Sequence, residues 1–177
     1  MNRLGLPPSL RRLARSSSAQ TFVVFPALVL AAEALRRGAF PRLDGRFLPL
    51  LAGGYLQYRL CGDYRGRRGG GGPGFDRPPE RLVTTGPYAL TRNPMYLGHL
   101  LFTAGLALCL HSPLAWCLLL ERWARFSRRV SRDEARLERL FGARYRAYRA
   151  AVPRWIPAVS GGAPSQPGAS SRYTTES

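Results

Sequence analysis

A chain of 177 residues with 45% apolar content has room for one ordinary domain and its core. Net charge is +17, and all 27 basic residues are arginine, a cation that does not titrate. The arginines gather beside apolar segments, where contact with anionic lipid and fixing of membrane orientation explain them more simply than nucleic acid, so no nucleic-acid partner is expected.

The start is ambiguous. A basic segment over residues 1–20, with "RRLARS" faintly like a twin-arginine signal, leads into an apolar stretch and then small residues, the order of an export signal. The other reading is a first membrane helix from Thr21 to Leu35, short and containing Pro26 but flanked by charge on both sides; this helix is the expectation. A second apolar segment, Phe47 to Leu60, has 14 residues where about 17 to 25 are usual for a span. It must borrow Tyr64 or its flanks, or lie partly in the interface. The loop between the two carries Arg36, Arg37, Arg42 and Arg46 against Asp44, which counts against placing it outside. Arg59 through Arg92 supplies seven arginines and Glu121 onward twelve, so the larger basic mass marks those regions as cytosolic.

"GRRGGGGPGFDRPPE", Gly66 to Glu80, reads as a flexible connector; a phosphate-binding loop would need a strand before it and a helix after it. Next comes "TGPYALTRNPMYLGH". "GPY" signals a turn, and Asn93 precedes a proline suited to a helix N-terminus. This stretch is either an interfacial collar, with tyrosines at headgroup level and Arg92 on phosphate, or the wall of a chemical site. From Asn93 to Leu120, 28 consecutive positions lack a charge. One straight helix of that length would be about 42 Å long, more than a bilayer core of about 30 Å requires. The alternative is a bent pair, Tyr96 to Leu110 rising, His111 to Pro113 turning and Leu114 to Phe126 returning.

Beyond it, Ser131 and Glu134 have capping-box spacing, and Leu137, Leu140, Phe141, Tyr145 and Tyr148 recur at helical intervals. They predict an amphipathic helix, interrupted near Gly142 and ended by Pro153. Residues 158–177 have the composition of a disordered tail.

Few residues offer conventional chemistry. Cys61, Cys109 and Cys117 have no metal-ligand spacing; the latter two read as small packing residues, as in a reducing compartment. His99 and His111 read as packing or polar-cap residues, and no metal is expected.

Two blocks carry a resemblance. "LVTTGPYALTRNPMYLG" and, after the apolar hairpin, "RDEARLERLFGARYRAYRAAVPRWIP" resemble the isoprenylcysteine carboxyl methyltransferase family and its bacterial relatives, within the wider phospholipid-methyltransferase-like group. The likeness covers roughly Glu80 to Pro157. It implies an all-α integral membrane protein without a Rossmann domain, with about four transmembrane segments including a C-terminal helical hairpin, then an amphipathic cytosolic helix. Its parts would be residues 1–20, a basic N-terminal segment; 21–64, two membrane segments; 65–157, the methyltransferase core; and 158–177, the tail.

The implied function is S-adenosylmethionine-dependent methyl transfer, O-methylating a carboxylate on a lipophilic, isoprenoid-like acceptor that is a small molecule or lipid-anchored. A phospholipid or other lipid acceptor, or a non-catalytic protein on the same scaffold, are the alternatives. The family's cofactor pocket, carried over, falls on Leu82, Val83, Tyr88, Asn93, Pro94, Met95 and Tyr96, and on the acidic position shared by Asp133 and Glu134. Its substrate arginine falls on Arg129. Well-known members have His where Asn93 stands and Glu where Asp133 stands; Asn still donates and accepts, whereas Asp reaches less far. No catalytic base is assigned, since a carboxylate acceptor needs none. The expected location is the bacterial inner membrane with the site facing the cytosol. Export of the rest of the chain would put the site where no such cofactor is found.

Overall fold

The computed structural model describes residues 16–70 and 79–156. The twin-arginine-like stretch, the glycine run of the connector and the tail lie outside the described residues. Among those described, all regular structure is helical.

Helix α1, Ser17–Arg37, is long and apolar enough to cross a membrane. It extends past the expected Thr21 to Leu35 at both ends, and its geometry explains how Pro26 is tolerated. Gln20–Val24 is a π-helical stretch in which Phe25 donates back to the Gln20 carbonyl. The wider turn opens just before the residue that has no N–H to give. After a single 3₁₀ turn at Gly45–Phe47, helix α2 covers Leu48–Gly69, 22 residues instead of the apolar 14 alone. A short helix α3, Pro87–Leu90, precedes α4, Pro94–Leu110, which is apolar but has 17 residues.

Between α4 and α5 the chain turns at His111, which adopts a left-handed backbone with φ of 48°. Ser112 then caps α5, its Oγ accepting from Ala115 N at 3.4 Å. The bent pair is therefore the arrangement found. The expected pause before a separate cytosolic helix is absent: α5 runs unbroken over Pro113–Phe141. The capping box at Ser131 is thus corrected. Ser131 lies mid-helix and its hydroxyl donates to the Ser127 carbonyl at 3.1 Å, a bond that fits a helical interior as well as polar spacing does. Gly142, with φ of 52°, ends α5 and starts α6, Ala143–Ala151.

The four long helices run alternately up and down. α2 packs most extensively on α4, and glycines permit it. A Cβ on Gly98 would lie 2.7 Å from the Gly54 oxygen, and one on Gly105 would lie 2.7 Å from the Leu51 nitrogen, so the two backbones touch. α1 and α5 close the bundle around Phe25, Val29, Leu106, Leu110 and Ala115. Arg122, 1% exposed, spans this seam, stacked on Phe25 at 4.5 Å and donating to Gln20 Oε1 at 3.0 Å. Cys61 and Cys109 are buried as packing residues, whereas Cys117 is exposed on the outer face of α5.

One end of the bundle is locked by charge. Glu33 is buried, accepts from Ser112 Oγ at 2.7 Å and pairs with Arg36 at 2.6 Å and Arg37 at 3.0 Å. Arg37 also donates to the Leu110 carbonyl at 2.6 Å. Nearby, Arg46 pairs with Asp44 at 2.7 Å and holds that carboxyl well below the usual range. Three of the four arginines in and beside this loop are thus engaged by two acids, Glu33 and Asp44. The opposite end holds the residues of interest.

Candidate active site

Residues 79–93 form the lip of that end. Gly69 ties them down, its carbonyl accepting from Glu80 N at 2.9 Å and Arg81 N at 3.0 Å. Gly86, with φ of 60°, passes so close to the Tyr64 ring that a Cβ would lie 2.6 Å from Cζ. Glycine meets both demands, and Pro87 then opens α3. Tyr88 is directed inward, its hydroxyl donating to the Cys61 carbonyl at 3.4 Å while its own carbonyl accepts from Tyr148 Oη at 2.7 Å.

The C-terminal segment is laced to this lip. Arg92, its side chain 9% exposed, pairs with Glu134 at 2.9 Å and donates to the carbonyls of Arg149 at 2.7 Å and Val152 at 3.1 Å. Its guanidinium is an internal clamp, which corrects the headgroup role that a collar would give it. Arg154 takes the other oxygen of Glu134 at 2.5 Å. Asn93 donates through Nδ2 to the Arg154 carbonyl at 3.1 Å, and Thr91 Oγ1 donates to the same carbonyl at 3.1 Å.

Between lip, α4 and α5 lies a cavity of about 590 Å³, within the size range of small-molecule sites. Leu82, Val83, Tyr88, Asn93, Pro94, Met95, Tyr96, Arg129, Asp133 and Glu134 all line it. The sequence separates these positions by an apolar hairpin; the fold returns α5 beside the start of α4 and brings them together.

Their states differ. Asp133 accepts from Tyr96 Oη at 3.1 Å and has Arg129 at 3.8 Å. Burial raises its pKa against the opposing pull of the Tyr96 hydrogen bond and of Arg129 and Arg132. Glu134, by contrast, has each oxygen engaged by an arginine. The acidic position shared between the two in sequence is divided in space: Asp133 serves the cavity and Glu134 holds the walls. Burial also raises Tyr88 and Tyr148 and pushes Tyr145 up to about 12, so these rings stay protonated at neutral pH.

Part of the lining escaped sequence reasoning. Ser16, which caps α1, Ser17 and Ser18 in its first turn and Tyr58 from α2 reach the cavity, joined by a Ser18 to Tyr58 hydroxyl contact of 2.7 Å. No local motif marks them. Leu137, Tyr145 and Tyr148, read as the apolar stripe of a helix, also face it. His99 packs as expected, stacked 4.7 Å from Phe22, yet touches the cavity too. Among the described residues no metal-ligating cluster occurs.

Residues 67–144 match the family model described as phospholipid methyltransferase. Over 81 residues the chain is 40% identical to the protein-S-isoprenylcysteine O-methyltransferase of Schizosaccharomyces pombe (strain 972 / ATCC 24843), covering 44% of this chain and 34% of that protein. The protein of the same name from Xenopus laevis is 36% identical over 83 residues, 45% of this chain and 28% of the relative. Protein-S-isoprenylcysteine O-methyltransferase B of Arabidopsis thaliana is 33% identical over 82 residues, 46% and 42% of the two chains. The match spans less than half the length of each relative. The matched residues include the lip, the apolar hairpin and much of the cavity lining. Over this part of its length the chain is similar to protein-S-isoprenylcysteine O-methyltransferases.

Proposed function

We propose that this chain is an integral membrane methyltransferase that uses S-adenosylmethionine to methylate a carboxylate on a lipophilic, isoprenoid-like acceptor. The observation that carries this reading is the convergence of both sequence blocks on one cavity. The residues present suit the cofactor: a partly buried carboxylate at Asp133 for hydroxyl or amino groups, tyrosine faces for a purine and a cation, and apolar walls at Leu82, Val83 and Leu137. When bound, that cofactor supplies an electrophilic methyl group on a sulfonium.

The protein's contribution is alignment and exclusion of water. Asn93 has its amide nitrogen committed to the Arg154 carbonyl, so it meets a ligand through its oxygen. Tyr96 fixes the Asp133 carboxylate. Arg129, pointing across the same space, holds the acceptor's negative charge beside that carboxylate. No general base is required for a carboxylate nucleophile. We read α1, α2, α4 and α5 as four crossings of a bacterial inner membrane, with the cavity at the cytosolic surface. α1 passes the length and hydropathy test for a span; the alternating path of the other three supports the rest.

The test is binding of the radiolabelled methyl donor to detergent-purified protein, followed by transfer of label into a lipid extract. Saturable binding that Asn93→Ala or Tyr88→Ala weakens about tenfold or more, and Arg144→Ala spares, is the expected result. Absence of binding at saturating donor rejects the reading. Label found on a phospholipid amine rejects the carboxylate acceptor while keeping the enzyme class.

A further inference from the structure

A second cavity of about 600 Å³ lies against the outer side of the 81–83 segment, sharing Arg81, Leu82 and Val83 with the first. Four arginines line it, Arg67, Arg68, Arg81 and Arg144, with Glu80 as its acid and Thr84 and Thr85 as hydroxyl donors. Among the described residues, none of these arginines forms an ion pair, whereas Arg36, Arg37, Arg46, Arg92, Arg125, Arg149 and Arg154 each have a carboxylate partner. An unpaired cluster of like charge repels itself and draws an anion.

The cluster is also held in shape. Its members come from three parts of the chain: the last turn of α2, the 81–85 segment and the first turn of α6. The Gly69 carbonyl fastens the first to the second through Glu80 N and Arg81 N. Arg68 lies 4.7 Å over the Tyr64 ring, and the Tyr64 hydroxyl meets Thr85 Oγ1 at 2.8 Å. Arg68 and Thr85 are thus placed before binding, and guanidinium and hydroxyl donors on a shared backbone frame suit the oxygens of a phosphate group. Arg67 follows Leu60, the end of the apolar part of α2, by about 10 Å of helix, the depth of a lipid headgroup layer.

We propose that this second cavity binds the phosphate of an anionic phospholipid, clamped by Arg67, Arg68, Arg81 and Arg144. The inference rests on the membrane placement of α2 and is independent of methyl transfer. Since Leu82 and Val83 form the partition between the two cavities, a lipid seated there braces one wall of the candidate active site.

The test titrates the full chain, in neutral detergent, with short-chain phosphatidylglycerol and with phosphatidylcholine. Phosphatidylglycerol should bind about tenfold tighter or more. Arg67→Ala with Arg144→Ala should abolish that preference, while Arg128→Ala with Arg139→Ala, exposed arginines outside the cavity, should preserve it at equal charge. Both pairs are exposed, and a thermal melt on each confirms that they are folded. Preference kept by the first pair, or lost equally by both, overturns the proposal. Displacement of the lipid by equimolar inorganic phosphate also overturns it, assigning the site to a soluble phosphate compound. Methyl-donor binding measured in parallel tests the first cavity separately: its absence rejects the proposed methyl transfer and leaves the lipid preference standing.

Discussion

Asp133 and Glu134 are neighbours in sequence, about 100° apart around α5, and the difference decides their work. Glu134 is 6% exposed and joins Arg92 to Arg154. Glu134→Gln leaves two guanidinia short of charge, one of them buried, and should cost about 3 kcal/mol of stability, read as a lowered unfolding midpoint in detergent. Asp133→Asn should leave that midpoint unchanged or raised, because burial already disfavours the charged carboxylate. The sign follows from the raised pKa. An acid that takes up its proton more readily when folded makes the fold less stable as pH rises through its titration. Binding of a cationic donor runs the other way, since it needs the ionised form. In the wild type, affinity for the methyl donor should fall on acidification from a higher pH than an ordinary aspartate would give. Asp133→Asn should bind weakly with that pH dependence removed, and a titration of affinity against pH checks both statements. Sequence alone marked this acidic pair but could not divide it, because the division depends on Arg92 and Arg154, distant in the chain.

Among the elements, the crossing of α2 and α4 is the least forgiving. Gly98→Val puts a Cβ 2.7 Å from the Gly54 oxygen, where only backbone can yield. The expected loss is about 3 kcal/mol or more, seen as a lower melting temperature and poor recovery from membranes. Gly53→Ala is the control: nothing lies within 4 Å of its added Cβ, so the change should be neutral or stabilise by up to about 1 kcal/mol. The hairpin turn was legible because His111 to Pro113 combines a polar break with a helix-opening proline. The unbroken α5 was not. A Ser-x-x-Glu spacing looks the same at a helix start and on the polar side of a helix interior, and only the fate of the Ser131 hydroxyl separates them. The length of α2 was hidden for a related reason: apolar content marks 14 residues, while the helix continues through arginines that pack and stack beyond it.

For the molecule as a whole, the half of the chain that carries the two quoted blocks disclosed cavity-lining residues in sequence, and the other half did not. Ser16 to Ser18 and Tyr58 reach the cavity only because α1 and α2 stand against α4, a long-range fact with no local signature. The charge pattern misled in one respect: Arg36, Arg37 and Arg46 count as free basic loop residues in sequence, yet each is engaged by Glu33 or Asp44. α5 joins the two ends as a single rod. Between Pro113 and Asp133 it spans about 30 Å, so a change of about 5° in its tilt carries Asp133 roughly 2.5 Å sideways. In the four-crossing arrangement proposed above, the thickness of the bilayer sets that angle and becomes a mechanical input to where the carboxylate stands.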